Sequence, residues 1–136
     1  MILQGRVLIP GQVQGPALVT HEPLSFWGGY DYHTGEIIDR RHPLSGQIAA
    51  GHVLAVPFTR GSSTTTAVLL EAVRLGTAPV AILTTGRDHF FTLASIVADE
   101  MYQKPIPLVV LASIDFGRLK SGQWIQIHAD GRVGAE

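Results

Sequence analysis

Apolar residues gather in short runs along this chain, and their spacing alternates between the periods of strand and helix. Residues 53–57 form an apolar run of strand type closed by Pro57, and residues 80–84 and 108–111 are continuous apolar runs too. Runs of this kind suit strands buried on both faces. Two helical stretches lie between them. The first is dense in aliphatics from Thr64 to Leu75, with Gly76 placed to supply the left-handed residue that ends a helix. The second takes Asp88 as N-cap and runs to about Gln103. Phe90, Ala94, Val97 and Met101 recur on one face and read as core, while Thr92, Ser95, Asp99 and Gln103 fall on the other. Pro105 and Pro107 then stop it. Strand–helix–strand–helix–strand predicts a right-handed parallel unit in this half.

The first half is richer in strand. Residues 6–9 and 17–20 read as strands with Pro10 and Gly11 turning the chain between them, and residues 37–39 return as another. The last stretch, residues 122–128, alternates as an exposed antiparallel strand should, before a turn at Asp130 and Gly131. The pattern predicts an α/β chain: a β-rich N-terminal half, a parallel βαβαβ C-terminal half and a closing strand. Two sheet layers with helices on one side would bury these elements. No repeat or linker divides the 136 residues, so a single domain over residues 1–136 is expected.

Composition narrows the function. The chain is 46% apolar, only 15% charged and carries a net charge of −1, which excludes a disordered tail and gives no reason to expect nucleic acid. So sparse a charge is the bias a chain partly covered by another protein would show. There is no run of about 18 apolar residues and no signal-peptide layout at Met1 to Arg6. No membrane association is expected, and a cytoplasmic location is the default. With no cysteine there is neither a disulfide framework nor a thiolate ligand for zinc or iron–sulfur.

Candidate chemistry centres on residues 59–66, where Arg60, Gly61, Ser62, Ser63 and Thr64 lead from a strand into an apolar helix. The first N–H groups of a helix lack internal partners and its dipole places about half a positive charge there, so this end favours an anion. One serine is accounted for by a helix cap. Five consecutive hydroxyls behind Arg60 and Gly61 exceed that need; glycine lets backbone approach a ligand and arginine adds fixed positive charge. A phosphate-loop lysine, a Gly-x-Ser-x-Gly elbow and a His-x-x-x-His helix pair are all absent. Were a serine here a base, its pKa of roughly six units above neutrality would cost about 8 kcal/mol. A helix end supplies at most about 2 kcal/mol. The rest would have to come from a cation, other donors or a metal on another polypeptide, since this chain offers no metal site.

Two further stretches are candidates. Residues 39–43 are the densest charge cluster, either a solvated turn or a place where one of its arginines clamps a substrate carboxylate; of the six scattered histidines only His42 joins it. Residues 23–31 hold Phe26, Trp27 and Tyr30 with two glycines, a wall or lid over a ligand or a hairpin whose aromatics cap the core.

The segments Pro23-Leu24-Ser25-Phe26-Trp27-Gly28-Gly29, Gly35-Glu36-Ile37-Ile38-Asp39-Arg40-Arg41-His42-Pro43-Leu44, Arg60-Gly61-Ser62-Ser63 and Ala78-Pro79-Val80-Ala81-Ile82 together resemble, in matching order, the small subunit of the aconitase X family. The resemblance covers nearly the whole chain. It implies a three-layer swivelling β/β/α domain paired, in a heterodimer or higher heteromer, with a large subunit that carries the cysteines and an iron–sulfur cluster. It also implies hydro-lyase activity. The cluster takes the hydroxyl and Ser62, as catalytic base, removes the proton next to a small substrate's carboxylate. Arg60, Gly61, Ser63 and Thr64 would line the substrate, with Arg40, His42, Phe26 and Trp27 as further binding candidates. Classical aconitases follow the serine pair with arginine and glutamate; Thr64 and Thr65 stand here, which argues against citrate. Bacterial members resemble cis-3-hydroxy-L-proline dehydratases and archaeal ones phosphomevalonate dehydratases, and this sequence leans to the former. An anion-sensing module and a non-catalytic gating partner are the alternatives.

Overall fold

The computed structural model describes residues 1–60 and 64–136. Its elements in chain order are β1 (Ile2–Gln4), β2 (Arg6–Ile9), β3 (Val13–Val19), β4 (Tyr30–Asp31), β5 (Glu36–Ile37), β6 (Val53–Ala55), α1 (Thr64–Leu75) and β7 (Ala81–Thr84). There follow α2 (His89–Tyr102), β8 (Leu108–Val110), α3 (Ser113–Phe116), β9 (Trp124–Ile127) and β10 (Arg132–Ala135).

The expected parallel unit is present: β6 pairs with β7, and β7 with β8, all parallel, with α1 and α2 as the crossovers. β3 extends it, parallel to β6 along Ala17 to Val19 and antiparallel to β9 along Val13 to Pro16. One strand thus serves two layers. The full order is β1-β10-β9-β3-β6-β7-β8-β2, and its end members β1 and β2 are separated in sequence by Gly5 alone. The sheet therefore curls until its two edges meet. At that seam the Gly5 N–H donates to the Gly131 carbonyl at 2.9 Å. Gly131 has φ +92, and a Cβ there would stand 2.6 Å from the Gly5 oxygen, so the closure requires glycine.

Curling creates two cores. One lies between the sheet's halves, filled by Leu3, Val53, Leu83, Leu111, Ile125, Ile127 and Val133. The other lies between the parallel strands and the helices, with Leu54, Ile82 and Leu108 against Leu69, Ala72, Phe91 and Ala94. This is the three-layer β/β/α arrangement, a mixed sheet with few helices.

Local differences from the sequence expectation have physical causes. The buried face of α2 is Phe91, Ala94, Ser95 and Ala98, which shares only Ala94 with the expected stripe of Phe90, Ala94, Val97 and Met101. Ser95 turns inward because its hydroxyl donates to the Ile106 carbonyl at 2.7 Å and accepts the Ile106 N–H at 2.8 Å. The strand expected over residues 37–39 shortens to Glu36–Ile37, paired with Tyr30–Asp31. Pro10 and Gly11 do not join a hairpin: β2 pairs with β8 instead. β1 and β10, too short for their pattern to register, close the sheet's edge beyond β9.

Candidate functional site

The site is assembled around the first turn of α2. Asp88 caps the helix, its Oδ1 accepting the N–H groups of Phe90 at 3.0 Å and Phe91 at 3.1 Å. Its other oxygen faces away from the helix and accepts both the N–H and the hydroxyl of Thr59 at 2.8 Å. Thr59 also bridges Leu24, and the Arg60 N–H donates to the Leu24 carbonyl at 3.0 Å. The segment leaving β6 is thereby stitched to the segment around Pro23. Beyond residues 61–63, the buried Thr66 hydroxyl donates to the Phe90 carbonyl at 3.2 Å.

Beside this junction lies an open cavity of about 470 Å³, where Arg40, Arg41 and Arg60 meet Glu22, Asp39 and His42, with Pro23 and Ser25 completing the wall. The turn that presents the cluster is built locally: Asp39 Oδ1 accepts the Arg41 N–H at 3.0 Å, and the His42 N–H donates to the Asp39 carbonyl at 3.1 Å. The ion pairs Arg74–Glu71 and Arg132–Asp130 lie elsewhere, so none of the three cavity guanidinium groups is ion-paired among the described residues.

His42 is the unusual member. It is 8% exposed, and its Nδ1 accepts the Leu44 N–H at 3.1 Å. That contact assigns the lone pair to Nδ1 and, in the neutral ring, the proton to Nε2. Nε2 is buried without a hydrogen-bond partner among the described residues. Such a donor normally costs about 1–3 kcal/mol when left unmade. A cavity lined by three arginines that form no ion pair among the described residues can take an anionic oxygen.

Of the site residues expected from sequence, Arg40, His42 and Arg60 are brought together here. Thr64 opens α1, immediately after residues 61–63. Gly61, Ser62 and Ser63 lie outside the described residues. Phe26 requires correction. Its ring is 0% exposed, stacked on Tyr30 at 5.2 Å and edge-on to Phe91 at 5.5 Å, so it belongs to the core and has no surface to offer a ligand. The Trp27 ring is 72% exposed and stands apart from the cavity lining. Sequence reasoning missed Glu22, Ser25, Asp39 and Arg41 as lining residues, and read Asp88 as a cap alone; its unused second oxygen was the available signal.

Among the described residues the donor set does not fit an iron–sulfur cluster or a three-ligand metal site. The chain has no cysteine, and among the described residues no three His, Asp or Glu side chains are grouped to hold an ion. No described helix is long and apolar enough to cross a membrane.

Comparison with known proteins gives a consistent result. The family model of the aconitase X swivel domain matches residues 2–135. A cis-3-hydroxy-L-proline dehydratase of Pseudomonas aeruginosa is 42% identical over 94% of this chain and 22% of its own length. The chain thus spans about a fifth of the length of the hydroxyproline dehydratases it matches. A phosphomevalonate dehydratase small subunit of Methanothermobacter thermautotrophicus is 36% identical over 92% of both chains. Among solved structures, the holo form of Thermococcus kodakaraensis aconitase X superposes with a TM-score of 0.89 at 30% identity, covering 100% of this chain and 98% of the other.

Proposed function

This chain belongs to the aconitase X swivel-domain family, and from that premise we propose that it is the small component of a dehydratase, a hydro-lyase in which Ser62 is the general base. Ser62 takes the proton alpha to the substrate carboxylate. The electron pair of that C–H bond becomes the new carbon–carbon double bond, and the hydroxyl on the neighbouring carbon leaves on the side of the site supplied by a large subunit. The iron–sulfur cluster expected in this family is assigned to that subunit, and no step on this chain passes through it.

The observation that carries the reading is the cavity. It brings Arg60, two residues before Ser62, together with Arg40 and His42, whose Nε2 is buried without a partner among the described residues. Fixed cations beside a hydroxyl lower the cost of its anionic form, and a donor aimed at a carboxylate strengthens as the alpha carbon gives up its proton. Arg40, Arg60 and His42 bind the carboxylate in this proposal.

The substrate we favour is cis-3-hydroxy-L-proline. Its carboxylate and ring ammonium match a cavity that mixes three arginines with Glu22 and Asp39, leaving one more cation than anion. A phosphorylated substrate carries several negative charges and would meet two carboxylates. The second reading, phosphomevalonate, is favoured by small-subunit relatives of which this chain covers 92% or more. The test is reconstitution with the large subunit, followed by separate assays of the two substrates. Water loss from cis-3-hydroxy-L-proline is expected. Turnover of phosphomevalonate alone would transfer the assignment to the second reading, and turnover of neither would overturn both.

A further inference from the structure

The serine-base reading leaves one buried carboxyl side chain among the described residues without a role in the chemistry. Asp88 is 7% exposed and accepts four hydrogen bonds, two from its own helix and two from Thr59. A helix cap needs only one side-chain oxygen, and serine or asparagine supplies it as well as aspartate. Acceptance on both oxygens is what only a carboxylate provides. The need for aspartate at this position therefore comes from Thr59, not from α2.

On the other side of residues 61–63 the same helical turn holds Thr66, whose hydroxyl meets the Phe90 carbonyl at 3.2 Å. The start of α2 thus grips the chain three residues before Ser62 and four residues after it. Both grips are buried or half-buried and both are hydrogen bonds of short reach. Both anchors are tied to residues 88–90, at the start of the same helix.

We propose that Asp88 is a positioning residue for proton removal, fixing through Thr59 where the segment bearing the base begins. The proposal rests on the reading of Ser62 as base. Removal of a proton from carbon demands close placement of the acceptor, and a displacement of about 1 Å from a change outside the chemistry can cost on the order of 100-fold in rate.

The test uses the assembled enzyme and its dehydration substrate. Asp88→Asn keeps one oxygen for the Phe90 and Phe91 N–H groups and presents an NH2 to the Thr59 N–H. It is expected to lower kcat by about 30- to 100-fold with KM held within about threefold. The primary isotope effect on kcat with alpha-deuterated substrate should rise, because C–H cleavage becomes slower relative to the other steps. A merely structural role would leave that isotope effect unmoved. Thr59→Val and Thr59→Ser leave the cap intact and decide the matter if Asp88→Asn does not fold: the valine variant should lose about tenfold in kcat, and serine should restore it. Wild-type kcat and isotope effect in Asp88→Asn, or equal kcat in the two Thr59 variants, would overturn the positioning role when Ser62→Ala is inactive. An active Ser62→Ala would overturn the base reading and the positioning role with it.

Discussion

Replacing His42 with asparagine separates the part of this histidine that serves the fold from the part that serves a ligand. The fold uses Nδ1, which accepts the N–H of Leu44 two residues on. Asparagine makes the same two-residue contact through its side-chain oxygen. The buried Nε2–H has no partner among the described residues, and its removal relieves about 1–3 kcal/mol. Against this, the smaller side chain gives up about two methylene equivalents of burial, roughly 1.5 kcal/mol. The two effects nearly cancel, so His42→Asn should fall within about 1 kcal/mol of wild type in urea unfolding of this chain, with an unchanged m-value. His42→Ala loses the Leu44 contact as well and should be less stable than the asparagine variant by about 1–2 kcal/mol. In the assembled enzyme the outcome differs. The amide of asparagine ends short of where Nε2 lies, so a hydrogen bond to a charged oxygen, worth about 1.5–3 kcal/mol, is lost. That corresponds to a fall in kcat/KM of about 10- to 150-fold. A His42→Asn protein destabilised by more than about 2 kcal/mol with unchanged kcat/KM would show that His42 is a structural residue and refute the reasoning.

Ser95→Ala should be among the more damaging single-atom deletions in the chain, because Ser95 is 1% exposed and satisfies both the N–H and the carbonyl of buried Ile106. Two orphaned backbone groups predict a loss of about 2–4 kcal/mol in denaturant unfolding; a loss below about 1 kcal/mol would mean water enters. The Tyr30 hydroxyl, donating to the Thr77 carbonyl at 2.7 Å, is held well above the ordinary phenol range by its burial. Above about pH 10 the unfolded chain therefore sheds a proton the folded chain keeps, and stability falls by about 1.36 kcal/mol per pH unit. Tyr30→Phe should be less stable at neutral pH by about 1 kcal/mol yet lose that alkaline slope, which urea titrations between pH 8 and about 11.5 would reveal.

The helices were the legible part of this sequence. Aliphatic density from Thr64 to Leu75 and a glycine with φ +77 after it mark α1 at both ends, and Asp88 marks the start of α2. The face of α2 was not legible, because a serine counts as polar in any periodicity although Ile106, beyond the end of the helix, satisfies it. Phe26 and Trp27 illustrate the same limit. Of these two adjacent aromatics one is buried and the other exposed, and only the packing of Phe26 on Tyr30 and Phe91 decides which enters the core. The site was half legible. The charge cluster at residues 39–43 and the hydroxyl run stand out as separate features, but the meeting of Arg40 and His42 with Arg60 around one cavity leaves no trace in composition or spacing. The strands β1 and β10 depend on the chain's ends meeting, a property of the closed sheet rather than of either three- or four-residue run.

What remains is whether the hydroxyl at position 62 takes the proton. Ser62→Ala, assembled with the large subunit and incubated with substrate in D2O, reports this through kcat and through deuterium appearing at the alpha carbon of unreacted substrate. The complex should form normally, kcat should drop by about 100- to 10,000-fold, and any alpha exchange seen with wild type should vanish. Turnover within about tenfold of wild type, or exchange at the wild-type rate, would place the base elsewhere.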